Sequence, residues 1–409
     1  MEENTIQDEN KKNEEKKEEQ EIENNQILTT EQQNELYEKI KSYLGGPNLD
    51  EKGEINDISY INWAEKNEGI KHLCAPYEVI YSNDDKDINN MNNIILNNYK
   101  NNKEKNDSLR NPFGILENHD FTCELKLLKW ITEDEAHKNA FVESNNISNT
   151  EEIKLNQYND ILPYKYNFVP LENNNKEINI NNYINASFIT HPLNNKQKII
   201  IATQTPLKDT INSFWKMIYN YKIKLIIMLS DTANEEENSV KLYFPQEKGN
   251  IFDINISKDF KLKIELIHKE EIAPQIAYLK KFKINDEFEL KHIQITSWPN
   301  KGLPKETYMV NMLMEKLFKH FEEQIKTETP TVIHCYDGVG RTGTLISIFL
   351  IMICLDELKK INKEPIMGIF NIVRKLREQR YSSVTDVEQY KFIYDFTLYW
   401  IKKNYLIKL

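Results

Sequence analysis

His334-Cys335-Tyr336-Asp337-Gly338-Val339-Gly340-Arg341-Thr342-Gly343 lies between an apolar strand-like run, Thr331-Val332-Ile333, and an apolar helix-like run, Leu345 to Leu355. Such punctuation reads as strand, tight turn, helix. A turn of this kind points backbone N–H groups at one spot and sets a helix N-terminus behind them. A phosphate dianion fits there, and the same field is expected to lower the pKa of a cysteine at the start of the loop. Gly338 and Gly340 permit the backbone turn. Arg341 can close the cradle with a bidentate guanidinium fork. Only five of the 53 basic residues are arginine, so an arginine in this loop marks a need for the planar fork instead of a mere charge. The loop reads as a thiolate aimed at a phosphorus atom.

Outward from this loop, alternating apolar runs occur at 198–202, 224–230, 262–268, 277–284 and 290–297. Helical patterns at 207–220, 306–326, 343–358 and 365–380 are mixed with them, which predicts an α/β fold with a mixed, twisted β-sheet flanked by helices. Antiparallel hairpins such as 262–268 with 277–284 argue against a purely parallel sheet. Residues 121–130 read as an amphipathic helix. A last helix over 386–403 should pack Phe392, Phe396, Tyr399 and Trp400 into the core.

The front of the chain differs. Residues 1–25 carry ten acidic and four basic side chains and are expected to be a disordered acidic tail. Residues 26–118 read as a partly helical extension. Thr30 should cap a helix with Leu36, Ile40 and Leu44 on its apolar stripe, and Gly45-Gly46-Pro47 should end it. An Asn/Lys/Asp-rich segment at 83–108 reads as a low-complexity loop. The remaining unit, 119–409, holds the strands and the loop.

The net charge of −11 argues against general nucleic-acid binding. Cys74, Cys123, Cys335 and Cys354 are spaced for neither a metal site nor a disulfide framework. Free thiols fit a reducing compartment. No secretory signal or membrane span is legible, so a cytoplasmic protein is expected. No metal or organic cofactor is expected, and the pattern is silent on oligomeric state.

The loop resembles the signature His-Cys-x-x-Gly-x-Gly-Arg-Ser/Thr-Gly of the cysteine-dependent, phosphotyrosine-specific protein-tyrosine phosphatases, matching every fixed position. The resemblance continues in family order through Asn156 to Tyr164, Tyr183 to Ile189, Ile201 to Leu207, Phe214 to Met217, Tyr243-Phe244-Pro245, His292 to Pro299, Leu376 to Arg380 and Gln389-Tyr390. It implies that fold for residues 119–409 and phosphotyrosine-containing proteins as partners. By the same resemblance Cys335 is the nucleophile, Arg341 orients the phosphoryl group, and the loop residues Tyr336, Asp337, Gly338, Val339 and Gly340 line the phosphate site. His334 would tune the thiol through the backbone network, and Thr342 would donate to the sulfur. Tyr158 would stack on the substrate ring and set a depth that phosphoserine cannot span, and Asp160 would accept from the substrate backbone. Gln389 is the retained second glutamine of its loop.

Departures from the family bear on the reaction. Asn300 stands at the general-acid position of the loop Trp298-Pro299-Asn300, shaped like Asp but without a transferable proton. Thr385 replaces a water-positioning Gln, Gln157 replaces an Arg, and Ser239 falls where a Lys contacts the acid loop, with Lys241 close by. Asp337 occupies a position usually small; its default role is to face solvent or brace the loop, since an inward carboxylate would repel phosphate. Three readings follow: slow hydrolysis of phosphotyrosine in proteins through a cysteinyl-phosphate intermediate, a catalytically inactive pseudophosphatase that binds phosphotyrosine proteins, or a scaffold with an unused pocket.

Overall fold

The computed structural model describes residues 28–44, 121–133, 138, 140–142, 154–171, 182–230, 243–256, 260–299, 302–303, 307–363, 365–366 and 368–406. The expected acidic tail, the 83–108 loop, Ser239, Lys241 and Asn300 lie outside the described residues.

Among the described residues, eight strands form one sheet: β1 (Ala186–His191), β2 (Asn194–Gln204), β3 (Leu225–Met228), β4 (Ile251–Asn255), β5 (Lys261–Ala273), β6 (Ala277–Ile284), β7 (Phe288–Ile295) and β8 (Thr331–Cys335), in the order β1-β2-β8-β3-β7-β6-β5-β4. The four inner strands β2, β8, β3 and β7 are parallel. Antiparallel partners flank them on both sides. The sheet is therefore mixed, as the hairpin pattern predicts. The strands β1 and β4 are not among the alternating runs singled out in the sequence; β1 reads only as part of the 183–189 motif.

Inner strands are covered on both faces and so read as unbroken apolar runs. Ile200, Ala202, Ile333 and Cys335 pack on one face, with α4 (Thr307–Lys326), α5 (Gly340–Lys360), α6 (Ile369–Arg377) and α7 (Val387–Ile401). Ile201 and Val332 pack on the other face, against α3 (Ile211–Asn220) and the β4–β6 hairpins. Every residue of α5 from Gly340 to Leu355 is buried. The apolar run at 345–355 is thus a helix enclosed on all sides by protein. No described helix is long and apolar enough to cross a membrane.

Among the described residues, two α-helices precede the sheet, α1 (Thr30–Leu44) and α2 (Phe121–Thr132). The cap of α1 is Thr29, one residue before the expected Thr30. The Thr29 hydroxyl accepts from the Gln32 N–H at 3.3 Å, and the Gln32 side chain accepts from the Thr29 N–H at 2.9 Å. This reciprocal pair is a capping box. Ile40 and Leu44 are buried in the same core as α5 and α6. The end of α1 seats so closely on Gly368 that a Cβ there would overlap the Leu44 carbonyl.

Gly368 has a backbone that any residue adopts, with φ −113°, so its smallness serves this contact alone. Gly368→Ala should therefore displace α1 and cost about 1–3 kcal/mol, the usual size of an overpacking defect. A lowered urea midpoint of the full chain checks this; an unchanged midpoint would mean the contact does not hold the helix.

Candidate active site

The chain from Cys335 to Gly340 crosses from β8 to α5 with its carbonyls turned outward, each onto a partner. The Cys335 and Tyr336 carbonyls accept from the Thr205 N–H at 2.8 and 3.2 Å, and the Thr205 hydroxyl also donates to the Cys335 carbonyl at 2.7 Å. The Asp337 and Gly338 carbonyls accept from Arg380, from Nη2 at 3.4 Å and Nε at 3.3 Å. The Val339 carbonyl accepts from the Gly343 and Val384 N–H groups at 2.9 and 3.0 Å. The Gly340 carbonyl accepts from the Thr344 hydroxyl at 3.0 Å. With these carbonyls facing out, the N–H groups of Val339 and Gly340 face the inside of the loop. Gly338 makes the turn at φ +72°, where any Cβ would collide with the Thr203 carbonyl.

Cys335 sits at the carboxyl end of a central parallel strand, fully buried. Its thiol donates to Asp337 Oδ1 at 3.1 Å, and the same oxygen accepts from the Val339 N–H at 3.0 Å and the Gly340 N–H at 3.4 Å. The Asp337 carboxylate therefore faces inward, and it braces the loop from inside the cradle. This reverses the expected effect on the nucleophile. Burial first, then the Asp337 charge, pushes the thiol up to about 11, against the opposing pull of Arg341 and of hydrogen bonds from Thr342. The positive field that would stabilise a thiolate is met by a carboxylate already in place.

Arg341 and Thr342 open α5 and are buried beside the sulfur. Arg341 Nη1 donates to the Trp298 carbonyl at 3.1 Å, which ties the cradle to the start of the acid loop. Trp298 in turn donates to the Gly302 carbonyl at 3.2 Å.

The two-residue period of β8 sends His334 to the face opposite Cys335. There its Nε2 meets the Tyr243 hydroxyl at 2.7 Å, and that hydroxyl meets His292 Nε2 at 2.9 Å. His334 Nδ1 meets the Thr205 hydroxyl at 3.2 Å. Burial holds His334 down to about 3 and His292 well below the usual histidine range. His334 is thus a neutral ring that reaches the Cys335 backbone through Thr205, and it is not placed to act as a base toward the sulfur.

The wall of the site comes from residues 154–163. Tyr158 is 45% exposed and meets Tyr336 edge-on, with ring centroids 6.2 Å apart. Asp160 is exposed beside it. Gln389, in the first turn of α7, is buried under the loop; a Cβ on Gly340 would lie 3.3 Å from its Oε1 and 2.9 Å from the Thr385 hydroxyl. The Gln389 amide has no hydrogen-bond partner among the described residues, which leaves it available to a ligand. Every described candidate from the sequence thus lies in or around the loop, with Asp160 at the outer rim.

Sequence reasoning did not place the buried polar frame behind the loop. Asn156 Oδ1 accepts from the Tyr183 hydroxyl at 2.7 Å and from Asn185 Nδ2 at 2.9 Å, and Asn185 Oδ1 accepts from Arg380 Nη1 at 2.7 Å. The wall is thereby coupled to the loop carbonyls through one guanidinium. Arg377 does the same for the next loop, donating to the Ser383 and Val384 carbonyls at 2.8 Å. The scarcity of arginine that singled out Arg341 also marks Arg377 and Arg380. Asn185→Ala would leave Arg380 and Asn156 each short of a buried partner. It should cost about 2–3 kcal/mol in urea unfolding; an unchanged midpoint would mean that the frame does not hold the wall to the loop.

The arrangement of a cysteine, an outward-carbonyl loop and an arginine has relatives of known sequence and structure. The profile of the family described as protein-tyrosine phosphatase matches residues 152–399. Human receptor-type tyrosine-protein phosphatase C is 31% identical over 275 residues, covering 61% of this chain and 20% of that protein. Rat tyrosine-protein phosphatase non-receptor type 5 is 27% identical over 242 residues, covering 59% of this chain and 62% of that protein. The catalytic domain of human protein tyrosine phosphatase non-receptor type 18 superposes with a TM-score of 0.57 at 23% identity, over 72% of this chain and 98% of that one. The same human protein in complex with HER2 phosphopeptides gives a TM-score of 0.56 at 23% identity, over 71% and 94%. The chain thus spans a fifth to under two thirds of these full-length relatives. The match runs from the wall that carries Tyr158, through the loop of Cys335 and Arg341, to the helix of Gln389, and the chain belongs to the protein-tyrosine phosphatase family.

Proposed function

We propose that this protein hydrolyses phosphotyrosine in proteins through a cysteinyl-phosphate intermediate, slowly because Asn300 stands in place of the general acid. The observation that carries the reading is the ring of outward carbonyls, which aims N–H groups into a loop closed by Cys335 and Arg341. In the first step the Cys335 thiolate attacks phosphorus, the P–O bond to the tyrosine ring breaks, and the leaving oxygen needs a proton. Arg341 and the N–H groups hold the equatorial oxygens as charge builds on them. Tyr158 and Tyr336 flank the incoming ring, and Asp160 accepts from the substrate backbone. Asn300 cannot give the proton, which lowers the rate by about 10²–10⁴-fold. In the second step water displaces sulfur from phosphorus, with the Gln389 amide on the floor of the loop and Thr342 donating to the departing thiolate. The HER2 phosphopeptide complexes of human non-receptor type 18 support a phosphotyrosine peptide as the ligand. A chemistry that needs a free thiol supports action in the reducing cytoplasm.

A second reading, a pseudophosphatase that captures phosphotyrosine proteins without turnover, is favoured by the thiol held up to about 11 beside Asp337. Phosphate release from a phosphotyrosine peptide by the full chain, in reductant, decides between them. Slow release that Cys335→Ser abolishes and Asn300→Asp speeds at least tenfold is expected. Binding without release by wild type would establish the second reading. Peptide binding that survives Arg341→Ala would overturn both.

A further inference from the structure

We propose that Asp337 is a built-in competitor for the phosphate cradle, whose carboxylate holds the seat of a phosphoryl oxygen and must swing out before a ligand can enter. The inference rests on the reading of the loop as a phosphate site and adds how entry to it is regulated.

Three donors converge on Asp337 Oδ1: the nucleophilic thiol at 3.1 Å and the N–H groups of Val339 and Gly340 at 3.0 and 3.4 Å. An anionic oxygen in front of Cys335 and bound by loop N–H groups is what a bound phosphate would present. Here the chain supplies it from two residues after the nucleophile. The two N–H bonds alone resemble a helix cap, a local contact that many Asp residues make. The bond from the thiol is different, because a cap has no use for it, and it places the charge against the reacting atom.

A phosphate dianion and this carboxylate cannot share the site, since like charges at contact distance each disfavour the other's ionised form. Asp337 has a way out. It and Tyr336 are only half-buried, at the mouth where Tyr158 is exposed. A side-chain rotation about χ1 carries the carboxylate toward that opening without moving the backbone. Arg380 grips the Asp337 carbonyl and not its carboxylate, so the loop frame stays in place when the side chain leaves. Ligands able to displace the carboxylate are those with a stronger hold on the cradle, which favours a phosphate anchored by further contacts over a free anion.

The test uses the full chain, inorganic phosphate as probe, and iodoacetamide alkylation of Cys335 as readout. Asp337→Asn keeps an oxygen able to accept from Val339 and Gly340 and removes the charge, so the two N–H contacts are retained; Asp337→Ala removes both. In each variant the pH midpoint of alkylation should fall by at least one unit, and inorganic phosphate should protect the sulfur at about 10- to 100-fold lower concentration than in wild type. A midpoint or a protection concentration unchanged in both variants overturns the competitor role. A fall in midpoint without a gain in phosphate protection overturns it too. Should phosphate protect as stated while phosphotyrosine peptides do not bind any variant, the competitor role stands and the phosphotyrosine reading fails.

Discussion

The site depends on a fully buried guanidinium. Arg380 holds the carbonyls of Asp337 and Gly338 outward and anchors through Asn185 to Asn156 in the site wall. Burial brings its pKa down to about 10, which still leaves it charged at neutral pH. Charged hydrogen bonds in such surroundings are worth roughly twice neutral ones. Because a peptide unit has two ends, fixing the carbonyls on the outside fixes the N–H groups on the inside. The inward direction of the loop N–H groups is therefore set by a residue that lies outside the loop.

The second constraint is the period of a strand. With β8 paired in parallel on both sides, Cys335 and His334 must point to opposite faces. The reacting atom is separated from the imidazole, and the imidazole is sealed in a dry cluster with Tyr243 and His292. Nearby, Lys280 is also buried, donating to Gln294 at 2.7 Å and brought down to about 8 by burial. The face behind Cys335 is polar, buried and held by specific pairs. Such networks fix one arrangement because each unpaired alternative is costly.

Much of this was legible in the chain itself. The strand–turn–helix around Cys335, the hairpins and the core helices follow from apolar periodicity, and the scarcity of arginine pointed at Arg341. What periodicity cannot show is which way a polar side chain in a turn faces. Asp337 could face solvent or the sulfur, and only the three-dimensional meeting of two N–H groups and a thiol decides it. The raised thiol follows first from burial of the sulfur and then from that orientation, and neither can be read from the loop's residue types. The cap of α1 shifted by one because Thr29 and Thr30 each have a glutamine three residues on, Gln32 and Gln33, so the sequence offers two equivalent capping boxes and the structure uses the first. The strand β4 lies at the edge of the sheet with one buried residue among five, so its apolar alternation is faint. Arg380 stands in a sequence motif but is not legible there as a builder of the site, since its partner Asn185 lies 195 positions away and Asn156 is reached only through Asn185.

A sulfur kept as a thiol has a further chemical consequence. Peroxide oxidises thiolates, and the first product, a sulfenic acid, forms in proportion to the ionised fraction. With its proton held by burial and by the Asp337 carboxylate, Cys335 is a poor reductant toward peroxide in the state described. With the carboxylate seated, the contact that holds the proton on Cys335 also keeps the sulfur out of the form that peroxide attacks.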